Sequence, residues 1–149
     1  MPKIEISKAP LRTGSRYPKP FDEPCQRKSR RRLGLAAGLT QFGVNLLELQ
    51  PGAWSSQRHW HPEADEFVYV VRGPVVLVTE AGETTLDTGD CAGFKAGEPD
   101  GHHLQKRGTE PALILEIGTG SPADLHTEYP DIDMRATPAG YVHKNDTPY

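Results

Sequence analysis

Cysteine is scarce in this 149-residue chain, with only Cys25 and Cys91. A disulfide framework of the kind that holds small secreted domains is thereby excluded, and free thiols are expected. No apolar run approaches the roughly 18 residues of a membrane span, and the Met1-Pro2-Lys3 start lacks the apolar stretch of a signal peptide. A cytoplasmic protein with no membrane partner is expected. No Gly-rich loop ending in Lys-Ser/Thr and no Gly-x-Ser-x-Gly elbow occurs, which sets aside nucleoside triphosphate chemistry and serine hydrolysis. An excess of positive charge is also missing: the formal net charge is −3, which argues against a surface built to coat nucleic acid. The one basic run, Arg27 to Arg32, reads as a solvated surface stretch.

What is present is a composition with 36% hydrophobic and 25% charged residues, enough for one core, so residues 1–149 are expected to form a single domain. Residues 1–40 read as an arm. Pro2, Pro10, Pro18, Pro20 and Pro24 are spaced so that no long helix or central strand can run through its first part, which also leaves no room for a helix-turn-helix. From Gln41 the text changes to short β-rich runs divided by turn residues, the pattern of an all-β sandwich or barrel over residues 41–118. The expected strands are 42–49, 55–61, 66–72, 75–80, 84–87, 91–95, 102–106 and 112–117. Pro51-Gly52, Gly73-Pro74, Ala81-Gly82 and Gly89-Asp90 supply the turns. Residues 119–149 are rich in Pro and Asp and are expected to fold back on the barrel as an extended tail.

Three residues carry the chemistry. His59 and His61 lie two apart in an expected strand, so both imidazoles point to one face while Trp60 points to the other. Glu66 opens the next strand, where its carboxylate can swing back beside them. One hairpin thus offers three metal ligands. A further pair, His102-His103, supplies one more, since adjacent strand residues face opposite sides and only one of them reaches the interior.

The whole pattern Gly52-x6-His59-Trp60-His61-x4-Glu66-x6-Gly73 resembles the first motif of the cupin superfamily. The segment from Gly89 to Gly97, followed by His102, is similar to the second, with Lys95 where proline is usual and two extra residues before the histidine. The resemblance implies a cupin fold, a double-stranded β-helix or jelly-roll barrel with an extended N-terminal arm and a C-terminal tail. It also implies that the second motif gives the last ligand, which favours His102 because Lys106 takes the place of the asparagine four residues later. His103 would then face outward, toward a subunit contact. Residues 38–46 and 51–61, with the Gly89–Phe94 and Gly101–Leu104 elements and the Thr147-Pro148-Tyr149 ending, are similar to small bacterial single-domain cupins labelled sugar-phosphate isomerase-like.

Three imidazoles and one carboxylate, from His59, His61, His102 and Glu66, suit one divalent transition metal such as zinc, manganese, iron, nickel, cobalt or copper better than calcium or magnesium. Strand parity puts Gln57 beside the histidines and Val68 and Val70 beside Glu66. Glu48, Glu63, Tyr69 and Glu116 are possible acids or bases, each more readily read as surface or structure. The leading expectation is an enzyme that uses the metal as a Lewis acid on a small polar oxygenated substrate, of isomerase, epimerase or lyase type. A metal-dependent dioxygenase and a non-catalytic ligand-binding or sensor protein are the alternatives. Exposed Phe67, Tyr69 and Val71 point to a homodimer.

Overall fold

Apolar and polar side chains alternate along the strands that follow residue 41, and in the computed structural model, which describes residues 2–120 and 126–149, these strands form a jelly roll. The larger sheet contains β1 (Leu11–Thr13), β2 (Lys28–Arg32), β3 (Phe42–Leu49), β4 (Glu66–Arg72), β7 (Cys91–Phe94) and β9 (Ala112–Thr119), in the order β1-β2-β3-β9-β4-β7. Every neighbour is antiparallel. A smaller sheet, β6-β5-β8, is built from β5 (Val75–Thr79), β6 (Gly82–Leu86) and β8 (His103–Gln105). A terminal meander follows: β10 (Thr127–Tyr129), β11 (Met134–Thr137) and β12 (Gly140–Val142). The only α-helical turn among the described residues is α1 (Leu33–Ala36).

Residues directly opposed across an antiparallel pair share a face, so the register fixes what the larger sheet presents inward. At one end Leu47 and Leu49 of β3 pair with Ile114 and Ala112 of β9, and Val70 of β4 pairs with Ile114. These side chains meet Val75, Leu86 and Leu104 of the smaller sheet in one buried cluster. At the other end the same face turns polar: Arg12 stands opposite Arg30, Arg32 opposite Asn45 and Asn45 opposite Glu116, and Glu66 lies two residues from Val68, the partner of Glu116, on the same face of β4. The apolar end closes the jelly roll and the polar end opens as a cavity.

Expectation and structure part in three places. The segment from Ser55 to His61 is not a continuous strand; it is held by isolated bridges at Trp54–Gln105, His59–His102 and Trp60–Glu128. Side chains capture its backbone instead, as where Lys28 Nζ donates to the Ser55 carbonyl at 2.5 Å. The second difference is the basic run. It is strand β2, zipped to β1 and β3, and its alternation puts Lys28, Arg30 and Arg32 on the cavity side of the sheet, the first two half-buried and Arg32 exposed at the rim. The sheet therefore begins well before residue 41. Third, His103 does not face outward. It is 4% exposed, stands edge-on to Trp54 with ring centroids 4.6 Å apart, and its Nδ1 lies 2.9 Å from the Ser56 carbonyl.

The Pro-rich first part of the arm carries only β1 and two short 3-10 turns, Ile6–Lys8 and Glu23–Cys25, ahead of β2 and α1. Residues 126–149 do return to the jelly roll: β10 bridges to Trp60, and Tyr129 packs against Tyr17 of the arm. Residues 121–125 of the expected tail lie outside the described residues. Both cysteines are free, Cys25 buried and Cys91 exposed. No helix among the described residues is long and apolar enough to cross a membrane.

Candidate metal centre

Glu66 is the first residue of β4, and its register opposite Gly118 of β9 places the carboxylate at the polar end of the inner face. A side chain on the glycine would crowd it, since a Cβ at Gly118 would meet the Asp65 carbonyl at 3.2 Å and Glu66 Cγ at 3.8 Å. Three imidazoles turn toward this carboxylate. His59 Nε2 lies 3.4 Å from Oε2, His61 Nε2 lies 3.2 Å from Oε1, and His102 Nε2 lies 2.6 Å from Oε2. His59, His61 and Glu66 each offer a ligand atom within 4.8 Å of the others, and His102 joins them through its short contact with Glu66. The reciprocal backbone pair between His59 and His102, at 3.1 and 2.8 Å, holds the two segments in register.

The other ring nitrogens are engaged by the chain. His59 Nδ1 is 3.0 Å from the Gln57 carbonyl and 3.0 Å from Ser56 Oγ. His102 Nδ1 is 3.2 Å from the Asp100 carbonyl, and His61 Nδ1 is 3.2 Å from Thr127 Oγ1. Phe94 stacks on His102 with ring centroids 3.5 Å apart and planes 2° from parallel. A carbonyl accepts from Nδ1–H, which leaves Nε2 of His59 and His102 as a lone-pair donor aimed inward.

This donor set fits a divalent transition metal. To hydrogen-bond Glu66 through Nε2 and a carbonyl through Nδ1, an imidazole must be doubly protonated, and for His102 burial opposes that, holding its pKa below the ordinary value despite the nearby Glu66 carboxylate. Burial works to raise the Glu66 pKa, but its contacts with His59, His102 and His61 outweigh it and hold the carboxyl well below the usual range. Neutral imidazoles and an ionised carboxylate are the states that bind a metal.

These groups open onto a cavity of about 450 Å³. Val68 and Phe94 supply apolar wall, while Tyr17, Tyr129 and Glu116 supply polar groups. Burial pushes the pKa of Tyr17 and Tyr129 far up, so both phenols stay protonated at neutral pH. Glu116 accepts two hydrogen bonds from Arg30, at 2.5 and 3.0 Å.

The other expected site residues fare differently. Gln57 is buried and gives its amide to the Phe21 carbonyl at 2.8 Å, away from the cavity, because the strand that would have set its parity is not formed. Val70 is in the core rather than on the wall. Glu48 lies on the outer face toward Arg72 and Gln50, and Glu63 and Tyr69 are exposed. Missed from the sequence were Lys28, Arg30 and Arg32, whose period-two spacing was the available signal, and the aromatic pair Tyr17 and Tyr129, whose irregular surroundings gave none.

A cupin domain model matches residues 45–118. A protein of Silicibacter pomeroyi DSS-3, described as a sugar phosphate isomerase from a cupin superfamily, is 42% identical, with a TM-score of 0.91 over 99% of this chain and 96% of its own. Tetracenomycin polyketide synthase protein TcmJ of Streptomyces glaucescens is 27% identical over 104 residues, which is 69% of this chain; the match spans only 66% of that protein's length. The polyketide cyclase RemF of Streptomyces resistomycificus, 18% identical, shares the fold with a TM-score of 0.66 over 81% of this chain and 80% of its own. Both cupin motifs lie in the matched region and the 42% likeness runs through nearly the whole of both chains; the protein belongs to the cupin superfamily.

Proposed function

We propose that this cupin is a metal-dependent enzyme that uses one divalent transition metal, held by His59, His61, Glu66 and His102, for isomerase, epimerase or lyase chemistry on a small polar oxygenated substrate. The observation that carries the reading is the convergence of three Nε2 atoms on one carboxylate, with the opposite nitrogens of His59 and His102 tied to carbonyls. A metal held there would supply Lewis-acid polarisation of a carbonyl or hydroxyl oxygen.

The chain's own contribution is placement and proton control. Val68 and Phe94 keep water from one side of the cavity, which strengthens every polar contact inside it. Tyr129, with its ring centroid 6.1 Å from that of His59, is hydrogen-bonded to Tyr17, and because both phenols stay protonated the pair keeps one hydroxyl hydrogen for a substrate oxygen. The size of the cavity suits a small molecule rather than a polymer. The likeness to a protein described as a sugar phosphate isomerase makes aldose and ketose phosphates the first class to try.

The test is incubation of the metal-containing protein with such compounds in D2O, with proton NMR following loss of the hydrogen on carbon next to the carbonyl. Exchange is expected, lost in His59→Ala and slowed in Tyr129→Phe by about tenfold or more. Oxygen uptake without exchange would instead make the protein a dioxygenase. Tight ligand binding without turnover would make it a sensor or carrier.

A further inference from the structure

The cavity wall is strongly cationic although the chain is net negative. Arg12, Arg16, Lys28, Arg30 and Arg32 line it, against the two carboxylates of Glu66 and Glu116. Two of the cations are already occupied inside the fold, Arg30 by Glu116 and Lys28 by the Ser55 carbonyl. Among the described residues no carboxylate lies within 4.0 Å of Arg12, Arg16 or Arg32.

The register makes this arrangement costly. Arg12 of β1 stands directly opposite Arg30 of β2, and Arg32 shares their face two residues further on. Like charges directly opposed across strands destabilise a sheet. Partial desolvation, and then the charges of Arg16, Arg32 and Arg30, lower the Arg12 pKa against an opposing effect of Tyr141. Neither structural need nor a neighbouring carboxylate accounts for three guanidinium groups gathered on one side of an opening. An anion there would offset the repulsion, and guanidinium groups bind the oxygens of phosphate or carboxylate in pairs.

We propose that Arg12, Arg16 and Arg32 form an oxyanion subsite at the mouth of the cavity, which takes the phosphate or carboxylate group of the substrate. The uncharged part of the molecule then extends inward to the histidine cluster; that orientation rests on the metal-enzyme reading, while the subsite itself does not. Arg12, Arg16 and Arg32 are exposed and Glu66 is half-buried, so the anionic group enters last and its size is not limited by the inner wall.

The experiment is calorimetric titration of the metal-containing protein at low ionic strength with inorganic phosphate and, separately, with acetate. Wild type, Arg12→Ala, Arg12→Ala with Arg16→Ala, His59→Ala and Arg107→Ala are compared, with metal content measured on each. Phosphate, acetate or both should bind, and whichever binds more tightly identifies the substrate's group. Arg12→Ala should weaken binding about tenfold and the double variant further. Arg107→Ala, which alters an exposed arginine paired with Glu83, should change nothing. His59→Ala should lose metal and keep binding of that anion, whereas the arginine variants should keep metal and lose the anion, so the two readings fail separately. No binding of either anion by wild type, or equal binding by the double variant, would overturn the subsite, as would anion binding that disappears only with His59.

Discussion

Lys28 shows how one side chain can report on the cavity wall. Burial, assisted by the neighbouring charge of Arg30, lowers its pKa from the ordinary 10.5 to about 8, against weaker opposing effects of Cys25 and Glu116. Between about pH 8 and 10.5 the unfolded chain therefore binds more protons at this residue than the folded one, so its contribution to stability rises with pH across that window; below about 8 the cost of the buried charge is present in full. Lys28→Met removes the titration while keeping the stem. Wild type should gain on the variant by about 1–2 kcal/mol between pH 7.5 and 9.5, read as the difference in urea unfolding free energy. A difference that stays flat, or in which wild type loses ground to the variant as pH rises, would show that Lys28 is not held as a buried cation. Glu66, His59 and His61 were legible at this scale because their spacing lies within one stretch of chain. Lys28, Arg30 and Arg32 were not, because a strand that turns cations toward a polar cavity has the hydrophobicity profile of a solvated loop, and only the period-two spacing betrays it.

Among the elements, the segment between β3 and β4 matters most, since it positions two histidines without being a regular strand. Arg58 is its anchor. The guanidinium donates to Asp131 at 2.8 and 2.7 Å, to Glu80 at 2.8 Å and to the Gly101 carbonyl at 3.0 Å. It thus binds, one residue before His59, the carbonyl one residue before His102, and ties both to the β10–β11 turn and to the end of β5. Gly101 has no room for a side chain there, as a Cβ would meet Pro130 Cγ at 2.7 Å. Arg58 itself is largely covered, but Glu80 and Asp131 are more than half exposed, so solvent screening limits the value of the pairs. Arg58→Met should cost roughly 1–2 kcal/mol in stability and weaken metal affinity about tenfold through loss of ligand alignment. Urea unfolding and competition with a metal indicator check the two effects; unchanged metal affinity in a destabilised variant would reduce Arg58 to a surface staple. Strands β3 and β4 were read from the sequence with their observed bounds because alternation and flanking turns agree there. The segment from Ser55 to His61 was misread because side chains from elsewhere hold its backbone, which alternation cannot reveal.

At the scale of the whole molecule, the outer face of the larger sheet leaves Phe67, Tyr69 and Val71 of β4 about 40% exposed. Apolar surface of this kind is commonly covered by a second copy related by a twofold axis. A homodimer is expected by light scattering after gel filtration, and Phe67→Glu with Tyr69→Glu should yield monomer; a monomeric wild type would leave the face unpartnered. The cupin fold was legible because its two motifs fix strand order and turns together. Inclusion of β1 and β2 in the sheet was not, since pairing of an arm with a distant edge depends on tertiary contacts. The measurement that bears most directly on the enzyme reading is metal content per chain, on protein purified without chelator or metal-binding tag, beside His59→Ala and His102→Ala. About one equivalent of a transition metal is expected in wild type, with both variants depleted. No metal even after reconstitution, or full retention in both variants, would contradict a metal centre built on His59, His61, Glu66 and His102.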